Sequence, residues 1–158
     1  MRKEIEFGGV ESQGIIFTPE GEGEFPAIVC YHGYGSQLVN YAPIAERLAS
    51  VGIIGMVFSS KFYGENALTG FNSRVDQWIL EGQEALEFLT NYPQVEKRKI
   101  GVLGTSLGGF VAASLLSENQ HIISCVLRAP ASYDEQALRV GYSSRSLRAI
   151  QDFEGSLL

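Results

Sequence analysis

Short apolar runs alternate along this 158-residue chain with segments of helical periodicity, and this alternation restricts the fold more than any other feature. Short, near-continuous apolar runs are typical of strands buried on both faces of a parallel sheet, with helices covering those faces. The pattern predicts an α/β domain with three layers, α/β/α, and a mainly parallel sheet of about six or seven strands. The first two strands are expected to form an antiparallel edge. The predicted strands span residues 3–7, 14–18, 27–31, 53–58, 99–104 and 122–127.

Helical periodicity separates the later strands. Asn40 is expected to cap the first helix, because the apolar residues that follow it recur at intervals of three and four. A second helix is predicted to begin at Asn72 or Ser73 and to end at Pro93. An alanine-rich third helix is predicted over residues 107–116.

The composition excludes several classes of protein. The chain is 45% hydrophobic and 19% charged, which is too apolar for a disordered protein. Two cysteines exclude a disulfide-built scaffold and a zinc or iron–sulfur module; Cys30 and Cys125 lie in apolar runs and are predicted to be buried free thiols. The net charge of −6 argues against nucleic acid or a membrane surface as partner. With no signal-peptide core and no apolar run of membrane-span length, a cytoplasmic location is expected.

The segment Gly104-Thr105-Ser106-Leu107-Gly108-Gly109 follows a predicted strand and opens a predicted helix. This G-x-S-x-G spacing is typical of a nucleophilic serine on a sharp turn, with its hydroxyl above the sheet. Gly104 and Gly108 allow the strand and the helix to approach closely. The alternative is a tight strand–helix turn with a helix-capping serine.

The order of motifs resembles the α/β-hydrolase superfamily: HGYG follows an early strand, GTSLGG follows a later one, and helices separate them. The resemblance covers nearly the whole chain. Within the superfamily it is greatest to dienelactone hydrolases and to small esterase or peptidase-like serine hydrolases. It implies that Ser106 is the catalytic nucleophile, that no metal or organic cofactor is needed, and that the partner is a small-molecule acyl substrate.

The HGYG segment, residues 32–35, resembles the oxyanion loop of that superfamily. The resemblance implies that the backbone N–H groups of Tyr34 and Leu107 hold the oxygen that becomes negative during acyl transfer. Gly33 and Gly35 leave the backbone of the loop open to the substrate. In the family the histidine of this motif is structural, and the same is expected of His32.

The acid and the base that a serine nucleophile needs are harder to find. The family places them after the serine in the order acid, then histidine. Asp134 is a candidate acid, but no base is found in the chain, because His121, the sole histidine after Ser106, is expected to lie exposed at the amino end of a strand. The acidic residues after the serine are Glu118, Asp134, Glu135, Asp152 and Glu154.

The chain is therefore expected to be C-terminally incomplete. A complete sheet of this type with its helices needs about 180 residues, and residues 154–158 have the pattern of the start of a further strand, after a helix predicted over 143–153. The favoured hypothesis is a truncated product of a longer reading frame. The others are completion by another chain or in a homodimer, by strand addition at the open edge, and a natural short form without catalysis.

Two further segments are candidates for contact with substrate. Residues 131–152 carry three arginines and two tyrosines and form a candidate cap, in which the arginines would favour an anionic substrate; a solvated surface helix is the alternative. Lys61, Tyr63 and Glu65 follow a predicted strand and are candidates for lining the pocket, with an ordinary polar loop as the alternative.

Three functions remain open at this stage. The first is a carboxylesterase-like serine hydrolase that cleaves an ester, thioester or activated amide through an acyl-enzyme on Ser106. The second is a non-catalytic module that binds a small ligand on the same fold. The third is an acyltransferase that passes the acyl group to an alcohol or amine.

Overall fold

Six strands and three α-helices make up the part of the chain that the computed structural model describes, residues 1–65, 75–119 and 121–131. A 3₁₀ turn, Leu38–Asn40, precedes the first helix. The helices are α1 (Ala42–Ala49), α2 (Val75–Thr90) and α3 (Leu107–Glu118). The strands are β1 (Arg2–Phe7), β2 (Ser12–Phe17), β3 (Phe25–Tyr31), β4 (Ile54–Ser59), β5 (Val95–Thr105) and β6 (Ile122–Arg128).

The strands form one sheet in the order β1-β2-β4-β3-β5-β6. The four strands β4, β3, β5 and β6 are parallel, and β2 is antiparallel to both of its neighbours, β1 and β4. The predictions of a mainly parallel sheet and of an antiparallel edge are confirmed. From β3 the chain passes through α1 to β4 on one side and then returns across to β5 on the other. The carboxyl ends of β3 and β5 therefore form the crevice in which such sheets bind ligands.

Alternate side chains of each strand enter two separate cores, which gives the domain its three layers. On one face Ile16, Met56 and Phe58 pack with residues of α2 and α3. On the opposite face Ile15 and Val57 pack with residues of α1. The period of two along each strand explains why the apolar runs are continuous: both faces of the central strands are buried.

The structure corrects some details of the sequence predictions. The N-cap of α1 is Tyr41, not Asn40, because Asn40 ends the 3₁₀ turn and its side chain donates instead to Ser36 Oγ at 3.0 Å. Strand β5 begins four residues before the predicted start, at Val95, which is buried and pairs with Phe25.

The two cysteines differ in burial. Cys30 is buried as predicted, whereas Cys125 is only partly buried because β6 is covered less than the central strands.

Several predictions fall outside the described residues. These are the first residues of the second helix, all but the first residue of the candidate cap over 131–152, Asp134, and the helix and strand predicted after residue 142. Among the helices in the described ranges, none is both long and apolar enough to cross a membrane.

Candidate active site

Ser106 lies at the junction of β5 and α3 in a backbone conformation that L-residues rarely adopt, with φ 52° and ψ −117°. Conformations of this kind persist only where the surroundings impose them, and they concentrate at functional sites. Here three backbone hydrogen bonds fix the residue. Its N–H donates to Arg128 O at 3.0 Å, and its carbonyl accepts from Phe110 N–H at 3.1 Å and from Ala131 N–H at 2.8 Å.

Glycines on either side of Ser106 permit a very close approach of backbone segments. A β-carbon on Gly104 would lie 2.4 Å from the carbonyl oxygen of Gly108. A β-carbon on Gly108 would lie 2.2 Å from Tyr31 O and 2.4 Å from His32 O. Neither position accepts a side chain without a shift of backbone, so the G-x-S-x-G spacing has a direct steric cause.

The HGYG loop follows β3 and reaches the serine. A β-carbon on Gly33 would lie 3.5 Å from Ser106 Cβ and 3.6 Å from Thr105 O, so the loop lies next to the turn with room for little more than a methyl group between them. Gly35 has φ +66°, and its N–H donates to Tyr63 O at 2.8 Å.

The two residues predicted to donate to the oxyanion differ in exposure. Tyr34 is 41% exposed, and the side chain of Leu107, the first residue of α3, is fully buried. The structure therefore brings both segments that were predicted to form an oxyanion hole to one end of the sheet.

His32 is buried in this loop, with 1% of its surface exposed. Its Nδ1 is 2.7 Å from Gly33 O, and its Nε2 is 2.9 Å from Ser60 N. Because Ser60 N–H can only donate, Nε2 is the acceptor, and the proton is assigned to Nδ1. Burial lowers the pKa of His32 to about 4, against the opposing effect of the bond to Gly33 O. With both nitrogens engaged, His32 acts structurally, which agrees with the sequence expectation.

The other histidine of the chain lies at the wrong end of the sheet for catalysis. His121 is exposed and directly precedes β6, whereas Ser106 follows the carboxyl end of β5, which is parallel to β6. The prediction that His121 is exposed at the amino end of a strand is confirmed. Within the described ranges no histidine is placed to act as base for Ser106, and the candidate acid Asp134 lies outside them.

Of the three residues proposed to line the pocket, Tyr63 does not do so. It is 1% exposed and packs in the core, with its ring centroid 5.1 Å from that of His32 and 6.1 Å from that of Trp78. Lys61 is half-buried, and Glu65 is exposed and bonded to Gln37. The largely apolar ring of Tyr63 favours burial of this side chain, and the loop turns towards the core at this residue.

A buried carboxylate that the sequence analysis missed lies behind this loop. Glu81 on α2 is 1% exposed and accepts hydrogen bonds from the hydroxyls of Ser12 and Ser60 and, at 2.8 Å, from Lys61 N–H. Burial raises the pKa of Glu81, and these hydrogen bonds act in the opposite direction. A signal was present, because Glu81 falls on the same helical stripe as Trp78 and Ala85, and an acid on a buried stripe needs internal partners.

The sheet order, the two covered faces and the strained serine turn after β5 together define an α/β hydrolase. The family model described as serine aminopeptidase, S33, matches residues 25–155, and the chain belongs to that family. The resemblance stated from the HGYG and GTSLGG motifs is thereby confirmed.

Solved structures agree on the fold. A dienelactone-hydrolase-like promiscuous phosphotriesterase from metagenomic libraries superimposes with a TM-score of 0.71 at 16% identity, over 96% of this chain and 75% of that chain. An acetyl xylan esterase from Paenibacillus sp. R4 does so with a TM-score of 0.69 at 20% identity, over 90% of this chain and 52% of that chain.

Curated relatives are more similar in sequence but considerably longer. Mouse acyl-coenzyme A thioesterase 3 is 33% identical over 116 residues, which is 73% of this chain and 25% of that protein. Protein bem46 of Schizosaccharomyces pombe is 33% identical over 114 residues, 72% of this chain and 37% of that protein. Mouse acyl-coenzyme A amino acid N-acyltransferase 2 is 30% identical over 125 residues, 79% and 28% respectively. The chain thus spans between a quarter and somewhat over a third of their lengths.

Proposed function

We propose that this chain carries the nucleophile and the oxyanion hole of a serine hydrolase that works through an acyl-enzyme. The observation that carries the proposal is the strained conformation of Ser106, at φ 52° and ψ −117°, beside Gly33 of the HGYG loop. A structural turn gains nothing from such strain, whereas a nucleophile needs it to stand clear of the sheet.

In the proposed reaction Ser106 Oγ attacks the acyl carbonyl and forms a new C–O bond, while the carbonyl oxygen becomes negative. The N–H groups of Tyr34 and Leu107 are proposed to hold that oxygen, and Leu107 N–H also benefits from its place at the start of α3. Collapse of the intermediate expels the alcohol or thiol, which takes up the proton that left Ser106. A base outside the described residues must relay that proton, and water then releases the acid.

The proposed substrate is a small-molecule carboxylic ester or acyl thioester. Relatives named as acyl-coenzyme A thioesterases and as acyl-coenzyme A amino acid N-acyltransferases both act, by their names, on an acyl group carried by coenzyme A. Because a thiolate is a better leaving group than an alkoxide, a thioester also makes the smaller demand on leaving-group protonation. We therefore place thioesters ahead of simple esters.

Transfer to an amine is the second candidate, and the relatives at 30% identity that are named N-acyltransferases favour it. Hydrolysis and transfer share the acyl-enzyme and differ only in the nucleophile that resolves it. Product analysis with an acyl thioester in the presence of an amino acid would separate free acid from amide.

The test is covalent labelling of the natural protein that contains this chain with a fluorophosphonate probe. Labelling at Ser106 that is lost in Ser106→Ala is expected, with turnover of an acyl thioester reduced by about four to six orders of magnitude in the same variant. Ser114→Ala, about two turns further along α3, serves as the matched control and should retain both the labelling and the turnover. Tight binding of an acyl ligand without any labelling of Ser106 would instead identify a non-catalytic binding module.

A further inference from the structure

Glu81 is a buried carboxylate whose three hydrogen-bond donors are all neutral. Ser12 Oγ and Lys61 N–H donate to its Oε1, and Ser60 Oγ donates to its Oε2. Burying an acid without an opposite charge is costly, and here only hydrogen bonds offset that cost. Two of the three donors belong to one short segment, the loop of residues 60–65 that follows β4, which we call the bracing loop.

The Ser60 hydroxyl is the centre of this loop. It accepts hydrogen bonds from Phe62 N–H at 3.1 Å and from Tyr63 N–H at 3.2 Å, while it donates to Glu81. A hydroxyl has one proton and two lone pairs, so it can accept both N–H groups only if its proton points elsewhere. The Glu81 carboxylate supplies the acceptor that makes this orientation possible.

The bracing loop in turn holds the HGYG loop through two hydrogen bonds and the next residue, Ser36, through a third. Ser60 N–H donates to His32 Nε2 at 2.9 Å. Gly35 N–H donates to Tyr63 O at 2.8 Å, and Glu65 N–H donates to Ser36 O at 3.0 Å. Tyr34 lies between the anchored residues His32 and Gly35, so its backbone N–H is fixed on both sides.

We propose that Glu81 is a positioning residue for the oxyanion hole, which it aligns through Ser60 and the bracing loop without touching the substrate. The inference rests on the proposed acyl-transfer function of Ser106. It assigns to α2 a role in the reaction that neither the family match nor the motifs indicate. Loss of the carboxylate should allow the Ser60 hydroxyl to reorient and the HGYG loop to shift.

The test compares Glu81→Gln with Glu84→Gln in the natural protein. Glu84 lies one turn further along α2 and accepts from Gly9 N–H at 3.0 Å, so its variant removes a carboxylate from the same helix without touching the bracing loop. A misplacement of about 1 Å can cost about 100-fold in rate. We expect Glu81→Gln to lower kcat by about 10- to 100-fold at little-changed KM, and to weaken a trifluoromethyl ketone that forms a tetrahedral adduct by a similar factor. Glu84→Gln should change neither.

A merely structural role for Glu81 predicts something different. It would lower the melting temperature of Glu81→Gln while kcat and the affinity for the ketone stay at the level of Glu84→Gln, and that result would overturn the proposal. Ser60→Ala is the second variant, expected to reproduce the kinetic defect if Glu81→Gln fails to fold. Wild-type kinetics in a folded Ser60→Ala variant would equally overturn it.

Amide hydrogen exchange separates this proposal from the proposed function. Exchange at Gly35 and Ser60 should accelerate in Glu81→Gln and not in Glu84→Gln, whatever reaction the site performs. Unchanged exchange at both amides would show that Glu81 does not hold the bracing loop in place. Faster exchange in a protein whose Ser106 never takes up a fluorophosphonate would instead refute the acyl-enzyme function, and with it the role of Glu81 in catalysis.

Discussion

Gly33 lies beside Ser106: a β-carbon built on Gly33 would be 3.5 Å from Ser106 Cβ, an ordinary van der Waals distance. The two residues are 73 positions apart in sequence and follow the parallel neighbours β3 and β5. The HGYG loop and the serine turn therefore lie side by side at the carboxyl ends of β3 and β5.

Replacement of Ser106 by glycine should stabilise the protein relative to replacement by alanine. At φ 52° and ψ −117° an L-residue is strained, while glycine adopts this region freely. Both variants lack the hydroxyl, so the comparison isolates the backbone. Ser106→Gly is expected to unfold in urea with a free energy about 1 kcal/mol above that of Ser106→Ala.

Ser50, the C-cap of α1, has a right-handed helical backbone at φ −66° and provides the control. There Ser50→Gly should be less stable than Ser50→Ala, by about 0.5 kcal/mol, because alanine restricts the unfolded backbone more than glycine does. If the glycine variant is also the less stable one at position 106, the conformation of Ser106 is not strained in solution.

Alanine at Gly108 should be far more harmful than alanine at Gly35. The added β-carbon at Gly108 meets two carbonyl oxygens, at 2.2 Å and 2.4 Å, and backbone cannot move aside cheaply. At Gly35 nothing lies within 4 Å, and the cost is that of φ +66° alone. We expect losses of about 3 kcal/mol and about 1 kcal/mol in the free energy of unfolding, measured by urea denaturation. Equal losses would show that α3 can slide away from β3.

The strands, their mainly parallel arrangement and the serine turn could be predicted from sequence because each depends on local pattern. The continuous apolar run before Gly104 indicates a strand buried on both faces, and the glycine spacing around Ser106 reports a steric need within five residues. HGYG could be placed near the serine only through the family resemblance, since no local pattern specifies which strands are neighbours.

The Glu81 network could not be predicted in the same way. Its partners Ser12 and Ser60 lie 69 and 21 residues away, and nothing in either segment marks them as partners. Tyr63 was misjudged for a related reason. A polar loop after a strand is usually exposed, but the bracing loop turns Tyr63 into the core, where it packs on His32.

The Tyr63 hydroxyl is buried and has no hydrogen-bond partner among the residues that the structure describes, which leads to a paired prediction with Tyr31. An unpaired buried hydroxyl costs roughly 1 to 3 kcal/mol, so Tyr63→Phe should raise the free energy of unfolding by about 1 kcal/mol. Tyr31 is equally buried but donates to Gly82 O at 2.9 Å. Tyr31→Phe should therefore lower it by about 1 kcal/mol. A destabilised Tyr63→Phe variant, measured by the same urea titration, would reveal a partner for Tyr63 in solution.

Stability should fall in mild acid because of His32. Its pKa is lowered by burial to about 4 in the folded protein, against an ordinary value of 6.5, so the unfolded chain binds the proton first. The contribution of neutral His32 is complete above pH 6.5 and is lost as the pH falls towards 4, at up to about 1.4 kcal/mol per pH unit and about 3 kcal/mol in all. Burial raises the pKa of Glu81, so protonation of Glu81 favours the folded state as the pH falls. It therefore partly masks the loss of stability from His32 in the wild-type protein.

The difference in unfolding free energy between wild type and His32→Gln removes the contribution of Glu81, because both proteins contain it. That difference is expected to shrink by about 3 kcal/mol between pH 7 and pH 4, and to be flat between pH 7 and pH 8. Chemical denaturation at a series of pH values measures it. A difference that does not change with pH would mean that His32 titrates alike in the folded and unfolded states, and hence that its ring is not buried in solution as it is in the structure.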